Sequence, residues 1–196
     1  MSKASNSCLI KFFIDKEKEL IKTLDSWNLV SEDDIKAKHY SLIEKDIGKI
    51  YGVLTEWRVK NVINHHLEGL SRGRFDLVAV KKWKNNEPFK KEYYKKYNPI
   101  YAVEYKVDDT KTQLKKAQVT GFVKQVKRFV DYLLADNADL DRAFALYHYR
   151  GKELNGEKRL MEEIKKLNLQ KDLNLRLIWV HKKIQHDLIL NIASEI

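Results

Sequence analysis

The chain has 196 residues, 43% of them apolar and 11% aromatic, enough for a folded domain with its own core and too hydrophobic for a disordered one. Lysine and arginine total 38 against 28 aspartates and glutamates; the net charge of +10 points to a polyanionic partner, nucleic acid before an anionic membrane, with a solvated lysine-rich surface as the alternative. The single cysteine, Cys8, excludes an intrachain disulfide and any thiolate-held zinc or iron–sulfur site, and fits a reducing, cytoplasmic setting.

The apolar stretch Cys8 to Ile14 is interrupted by Lys11 and is too short for a signal peptide, and no other apolar run approaches bilayer length, so no membrane association is expected. From Ser7 to Trp27 the spacing predicts an amphipathic helix, and Ser31-Glu32-Asp33-Asp34 marks the start of another. Ser41-Leu42-Ile43-Glu44 has the form of a capping box. It opens a helical pattern of Ile43, Ile47, Ile50, Leu54 and Trp57, continuing through Val59 and Ile63 to a stop near Gly69.

The period then changes. Phe75 to Val80 reads as a strand after the turn Ser71-Arg72-Gly73-Arg74, and Ile100 to Val107 as a second strand. Between them, residues 81–98 are polar, basic and tyrosine-rich, as in a hairpin extension or loop. A helix follows from Thr112 to Leu134, with Leu114, Phe122, Val126, Phe129 and Leu133 on one face. Ala143 to Tyr149 reads as a strand, Glu157 to Leu167 as a helix and Leu175 to Val180 as a last strand. Such alternation predicts one α/β domain, with helices flanking a mixed central sheet. Its expected parts are an N-terminal helical extension over 1–40, a core over 41–180 and a C-terminal extension over 181–196.

The informative feature is charge inside apolar strands. Residues two apart on a strand share a face, so Glu104 and Lys106 point one way while Val103, Tyr105 and Val107 point the other. Ionisable groups on so apolar a strand are costly to desolvate unless they bind something. Asp76 poses the same problem on the earlier strand. If the two strands are neighbours, two carboxylates and an ammonium converge, a set suited to phosphodiester hydrolysis. Carboxylates hold Mg²⁺, and a lysine beside them can orient the attacking water, take its proton or steady the phosphate. The tripeptide alone is weak, since Asp34/Lys36, Asp109/Lys111 and Glu163/Lys165 repeat it; only Glu104/Lys106 lies inside an apolar strand. The alternative is a same-face or cross-strand ion pair on an exposed sheet.

This arrangement resembles the PD-(D/E)xK, or restriction-endonuclease-like, nuclease superfamily, over roughly Ser41 to Val180. The resemblance implies an αβββαβ core, with extra N-terminal helices here. It implies Asp76 and Glu104 as ligands of Mg²⁺ or Mn²⁺, helped by the main-chain carbonyl of Tyr105, and Lys106 acting on the water or the phosphate. Glu56 fits the glutamate that many members carry on the helix before the aspartate strand; as it would lie on an apolar stripe with Val53, Val59 and Ile63, a structural ion pair is the alternative. Lys115 and Gln118 are candidates for the polar residue on the helix after the motif. Phe75 stands in place of the namesake proline. The implied activity is endonucleolytic cleavage of DNA, RNA not being excluded, leaving a 5′-phosphate and a 3′-hydroxyl; a homodimer would let both strands of a duplex be cut.

Lys81, Lys82, Lys84, Lys90, Lys91, Lys95 and Lys96, with interleaved Trp83, Phe89, Tyr93 and Tyr94, form a basic aromatic segment that could hold phosphates and stack on bases. A solvated hairpin covering a sheet edge is the alternative. The six histidines show no ligand-like spacing and read as structural. No glycine-rich phosphate loop or nucleophile elbow is present, which argues against ATP use and serine-hydrolase chemistry. Two rivals remain: a non-catalytic nucleic-acid-binding module of the same fold, and a structural subunit of a larger assembly.

Overall fold

The computed structural model describes residues 3–26, 31–48, 51–58, 74–81, 99–108, 116–134, 140–150, 156–167, 174–181 and 184–187. Along them run α1 (Lys3–Ser26), α2 (Glu32–Ile47), β1 (Tyr51–Arg58), β2 (Arg74–Lys81) and β3 (Pro99–Asp108). Then come α3 (Lys116–Leu133), β4 (Arg142–Tyr149), α4 (Gly156–Lys165), β5 (Leu175–His181) and β6 (Ile184–Asp187). The chain is therefore mixed α/β, as its alternating periodicity predicts.

Two expectations at the N-terminal end are corrected. Ser41 caps nothing: α2 runs straight through it, and the expected division at residue 40 falls inside this helix. The cap is Ser31, whose Oγ accepts from Asp34 N at 3.2 Å while Asp34 Oδ2 accepts from Ser31 N at 2.8 Å. Glu32, Asp33 and Asp34 put negative charge in the first turn, where the helix dipole favours it. The helix then stops at Gly48, where a Cβ would lie 2.5 Å from the Glu44 carbonyl oxygen. Beyond it, Tyr51, Val53, Thr55 and Trp57, β-branched or aromatic at alternate positions, form strand β1 instead of the long helix expected there.

Among the described residues the sheet has six strands in the order β1-β2-β3-β4-β5-β6. The β3–β4 and β4–β5 pairs are parallel and the others antiparallel. Helices cover both faces. On one, Phe13 and Leu20 of α1 and Ile35, Ile43 and Ile47 of α2 pack on Leu77, Ala79, Tyr101, Val103, Tyr105, Phe144 and Leu146. On the other, Val119, Phe122, Val126 and Phe129 of α3 and Leu160 and Ile164 of α4 pack on Val78, Val80, Ala102, Ala145, Tyr147 and Trp179. Each large apolar side chain fully buried in this way contributes about 1.5–3 kcal/mol.

Helix α1 is also tied down by charge. Glu17, fully buried, accepts from Arg142 Nε and Nη2 at 2.7 and 2.5 Å and from Tyr101 Oη at 3.3 Å. Beside it, Phe13 stacks on Tyr101 with ring centroids 4.1 Å apart. Among the described residues no helix is long and apolar enough to cross a membrane.

Candidate active site

Helix α2 organises the site. Its residues 32, 36 and 39 fall on one face at helical spacing, and each meets a different part of the strands carrying the motif. Glu32 Oε2 lies 3.6 Å from Lys106 Nζ. Lys36 Nζ donates to Glu56 Oε1 at 2.5 Å and lies 3.5 Å from both Asp76 Oδ1 and Asp33 Oδ1. His39 Nδ1 and Tyr105 Oη share a buried hydrogen bond of 2.6 Å. Burial lowers the His39 pKa to about 3, so the ring is neutral and acts as a wedge that fixes Tyr105, the residue between Glu104 and Lys106.

Strand β2 breaks its alternation at Asp76. Phe75 and Leu77 would share a face on a regular strand, yet Phe75 packs with α3 and Leu77 with α1 and α2. On the neighbouring strand the ladder pairs Thr55 with Leu77 and Trp57 with Phe75 but skips Glu56, whose φ is 54°. A left-handed φ is strained for glutamate, and such strain persists only where the surroundings hold it. The bend turns Asp76 so that Oδ2 accepts from the Tyr105 backbone N at 2.8 Å while Oδ1 faces Lys36. Continuing the β2–β3 register of Leu77 with Val103 by one residue sets Asp76 opposite Glu104.

Glu104 takes the sheet face toward α3, only 3% exposed. Its Oε1 accepts from Gln125 Nε2, and its Oε2 is buried with no hydrogen-bond partner among the described residues. Burial, reinforced by the charge of Asp76 and opposed by Arg128, raises its pKa to about 9. Asp76 is raised to about 6 by burial, against the pull of the Tyr105 N–H and of Lys36. Burial works against the charge of Lys36, but the Glu56 hydrogen bond and the charges of Asp76, Glu56 and Asp33 outweigh it and raise its pKa. At neutral pH, Glu104 therefore holds its proton, Asp76 is mostly ionised and Lys36 is its ammonium partner.

As these side chains stand, no group of three or more histidine, cysteine, aspartate or glutamate residues is placed to hold a metal ion among the described residues. The donor chemistry fits a hard divalent cation nonetheless. Mg²⁺ needs only one or two carboxylates and completes its shell with water, and Glu104, whose Oε2 has no hydrogen-bond partner among the described residues, could exchange its proton for such an ion beside Asp76.

The structure thus brings together Asp76, Glu104 and the Tyr105 backbone and joins Glu56 to Asp76 through Lys36, while the contact it gives Lys106 is to Glu32 of α2 rather than to either carboxyl of the motif. Glu56 sits on β1, correcting its expected place on a helix. The α3 residue that reaches Glu104 is Gln125; Gln118 lies about two turns earlier on the same helix. Lys115, Lys82, Lys84, Lys90, Lys91, Lys95 and Lys96 lie outside the described residues, as does the side chain of Lys81. The basic segment is rooted at the far end of the β2–β3 pair, where Val80 meets Pro99. That root is five residues, roughly 16 Å along the strand, from Glu104.

Sequence reasoning missed four residues here: Glu32, Lys36, Gln125 and Arg128. For the first two a signal existed, because a cap at Ser31 sets positions 32 and 36 on one helical face beside the motif strands. Compared with known proteins, the chain matches no family model, no curated protein and no solved structure.

Proposed function

We propose that this domain is a metal-dependent nuclease of the restriction-endonuclease-like kind, hydrolysing phosphodiester bonds of DNA with Mg²⁺ or Mn²⁺. The observation that carries this reading is Glu104, a carboxyl 3% exposed whose Oε2 has no partner among the described residues, set beside the second buried carboxyl of Asp76. Structural ion pairs satisfy their charges; a carboxyl left bare inside a domain is destabilising and needs a reason. The run α2-β1-β2-β3-α3-β4 has the αβββαβ order that the resemblance implies, which adds to the case.

Asp76 and Glu104 would hold the ion, with the Tyr105 carbonyl, and Glu56 stands near enough through Lys36 to order water or a second ion. Once bound, the ion would lower the pKa of a coordinated water and set positive charge against the phosphate. The other residues position the reacting groups. His39 fixes Tyr105 and so the alternation that aims Glu104 and Lys106; Gln125 fixes the rotamer of Glu104. Lys106, held among the described residues by the long contact to Glu32, can turn toward a phosphate oxygen or its attacking water. Arg74, half-exposed, and Arg128, whose Nη1 donates to the Arg74 carbonyl, add positive charge where a polyanion would approach.

A second reading, a nucleic-acid-binding module without chemistry, draws on Lys36, which already offsets the charge of Asp76 and Glu56. Cleavage assays separate the two. Duplex, single-stranded and branched DNA, and RNA, are incubated with Mg²⁺ and wild type, Asp76→Ala or Lys106→Ala. Cleavage by wild type leaving 5′-phosphates, with both variants slowed at least about a hundredfold, is the expected result. Salt-dependent binding with no cleavage by wild type would establish the module instead.

A further inference from the structure

The ammonium of Lys36 lies where the acidic side chains converge, and it is neither part of the Glu-x-Lys motif nor a surface lysine. Its side chain is 11% exposed, it contacts Glu56 at 2.5 Å and Asp76 at 3.5 Å, and it reaches them from a capped helix. Three further carboxyls, Asp33, Glu32 and Glu104, act on the same cluster. The cations facing it are Lys36, Lys106, Arg74 and Arg128. Of these, Lys36 alone sits within 4 Å of both Asp76 and Glu56 among the described residues. The deeply buried Oε2 of Glu104, without a hydrogen-bond partner among the described residues, is independent of that contact and marks a place for a cationic ligand next to it.

We infer that Lys36 is the resident counter-cation of this site, and that a divalent ion binds only in competition with its ammonium. The inference rests on the nuclease reading and adds to it a control on metal occupancy. An ion approaching Asp76 meets a carboxylate whose charge is already matched, so part of its binding free energy goes into freeing the lysine. The displaced ammonium stays tethered on α2 beside the reacting centre. The site therefore stays charge-balanced when metal is scarce, which lets Asp76 and Glu56 remain ordered without it. The strained φ of Glu56 is part of that arrangement, because it presents Oε1 to Lys36.

Mn²⁺ binding to the full chain, without nucleic acid, tests this by the loss of the free-ion electron paramagnetic resonance signal. Wild type, Lys36→Met, Lys36→Arg and Asp76→Asn are compared, each checked for a cooperative melt; if Lys36→Met fails to fold, Lys36→Gln takes its place. The expected result is at least tenfold tighter binding in the variant lacking the charge, affinity within threefold of wild type in Lys36→Arg, and loss of binding in Asp76→Asn. Equal or weaker binding in the variant lacking the charge, with Asp76→Asn still abolishing it, overturns the competition and leaves the metal site standing. No binding in any protein at millimolar Mn²⁺ overturns both.

Discussion

Replacing Glu104 by glutamine should make the metal-free protein more stable, increasingly so as pH rises. An ordinary glutamate loses its proton near pH 4.5, but the buried Glu104 keeps it to about pH 9. Between those values the unfolded chain is ionised at this residue and the folded chain is not, so folding takes up a proton. Stability from this group is fully present below pH 4.5 and is lost as pH climbs toward 9. At pH 7, about 2.5 pH units above the ordinary value, the loss is about 3.5 kcal/mol, at about 1.4 kcal/mol per unit. Glutamine keeps the shape and the oxygen that accepts from Gln125 but has no proton to exchange. Asp76, also raised, titrates in both proteins and cancels in the difference. Any fixed penalty for the buried amide shifts the whole difference curve without changing its slope. Urea unfolding of both proteins from pH 5 to 8 is the assay. A gap widening in the variant's favour by about 2.5 kcal/mol between pH 5 and 7 is expected. A gap that stays constant over that range refutes the reasoning, since Glu104 would then titrate alike in folded and unfolded chains.

Two further outcomes concern the frame that holds the site. Arg142→Met leaves Glu17 buried with the 3.3 Å bond from Tyr101 and the longer 3.7 Å contact to Arg176, and should destabilise the fold by about 3–5 kcal/mol in denaturant melts, whereas a loss under 1 kcal/mol would show the pair to be dispensable. Ser31→Ala removes the cap of the helix that carries Glu32, Lys36 and His39; a loss of about 1 kcal/mol is expected by thermal melting, and an unchanged midpoint would mean that α2 starts without it.

Much of this was legible in the sequence because the signals were local. The strands bearing Asp76 and Glu104 stand out as apolar, β-branched runs broken by charge, and α3 by its stripe of Phe122, Val126 and Phe129. Strand β1 was hidden by coincidence. Ile43 and Ile47 are helical, and Leu54 and Trp57 happen to continue their spacing across the stop at Gly48, so one period spans two elements. That coincidence places Glu56 on a helix, whereas the helix start at Ser31, whose box closes with aspartate, is where the spacing predicts it. The partners of Glu104 were harder to see. Gln125 lies 21 residues away and its approach depends on how α3 crosses the sheet, which no spacing encodes. Lys36 carries the same tripeptide pattern as Lys106 but in a helical stretch, away from any apolar strand; the bend at Asp76 and the left-handed turn at Glu56 bring it onto two carboxylates.

The most direct test is to grow crystals, soak them in millimolar Mn²⁺ and locate the ion by its anomalous scattering at the manganese edge. A peak bonded to oxygens of both Asp76 and Glu104, with the Lys36 ammonium withdrawn from Asp76, is the expected result. Density showing Lys36 still seated on Asp76 and manganese absent from between the two carboxylates would contradict the metal centre on which the nuclease reading depends.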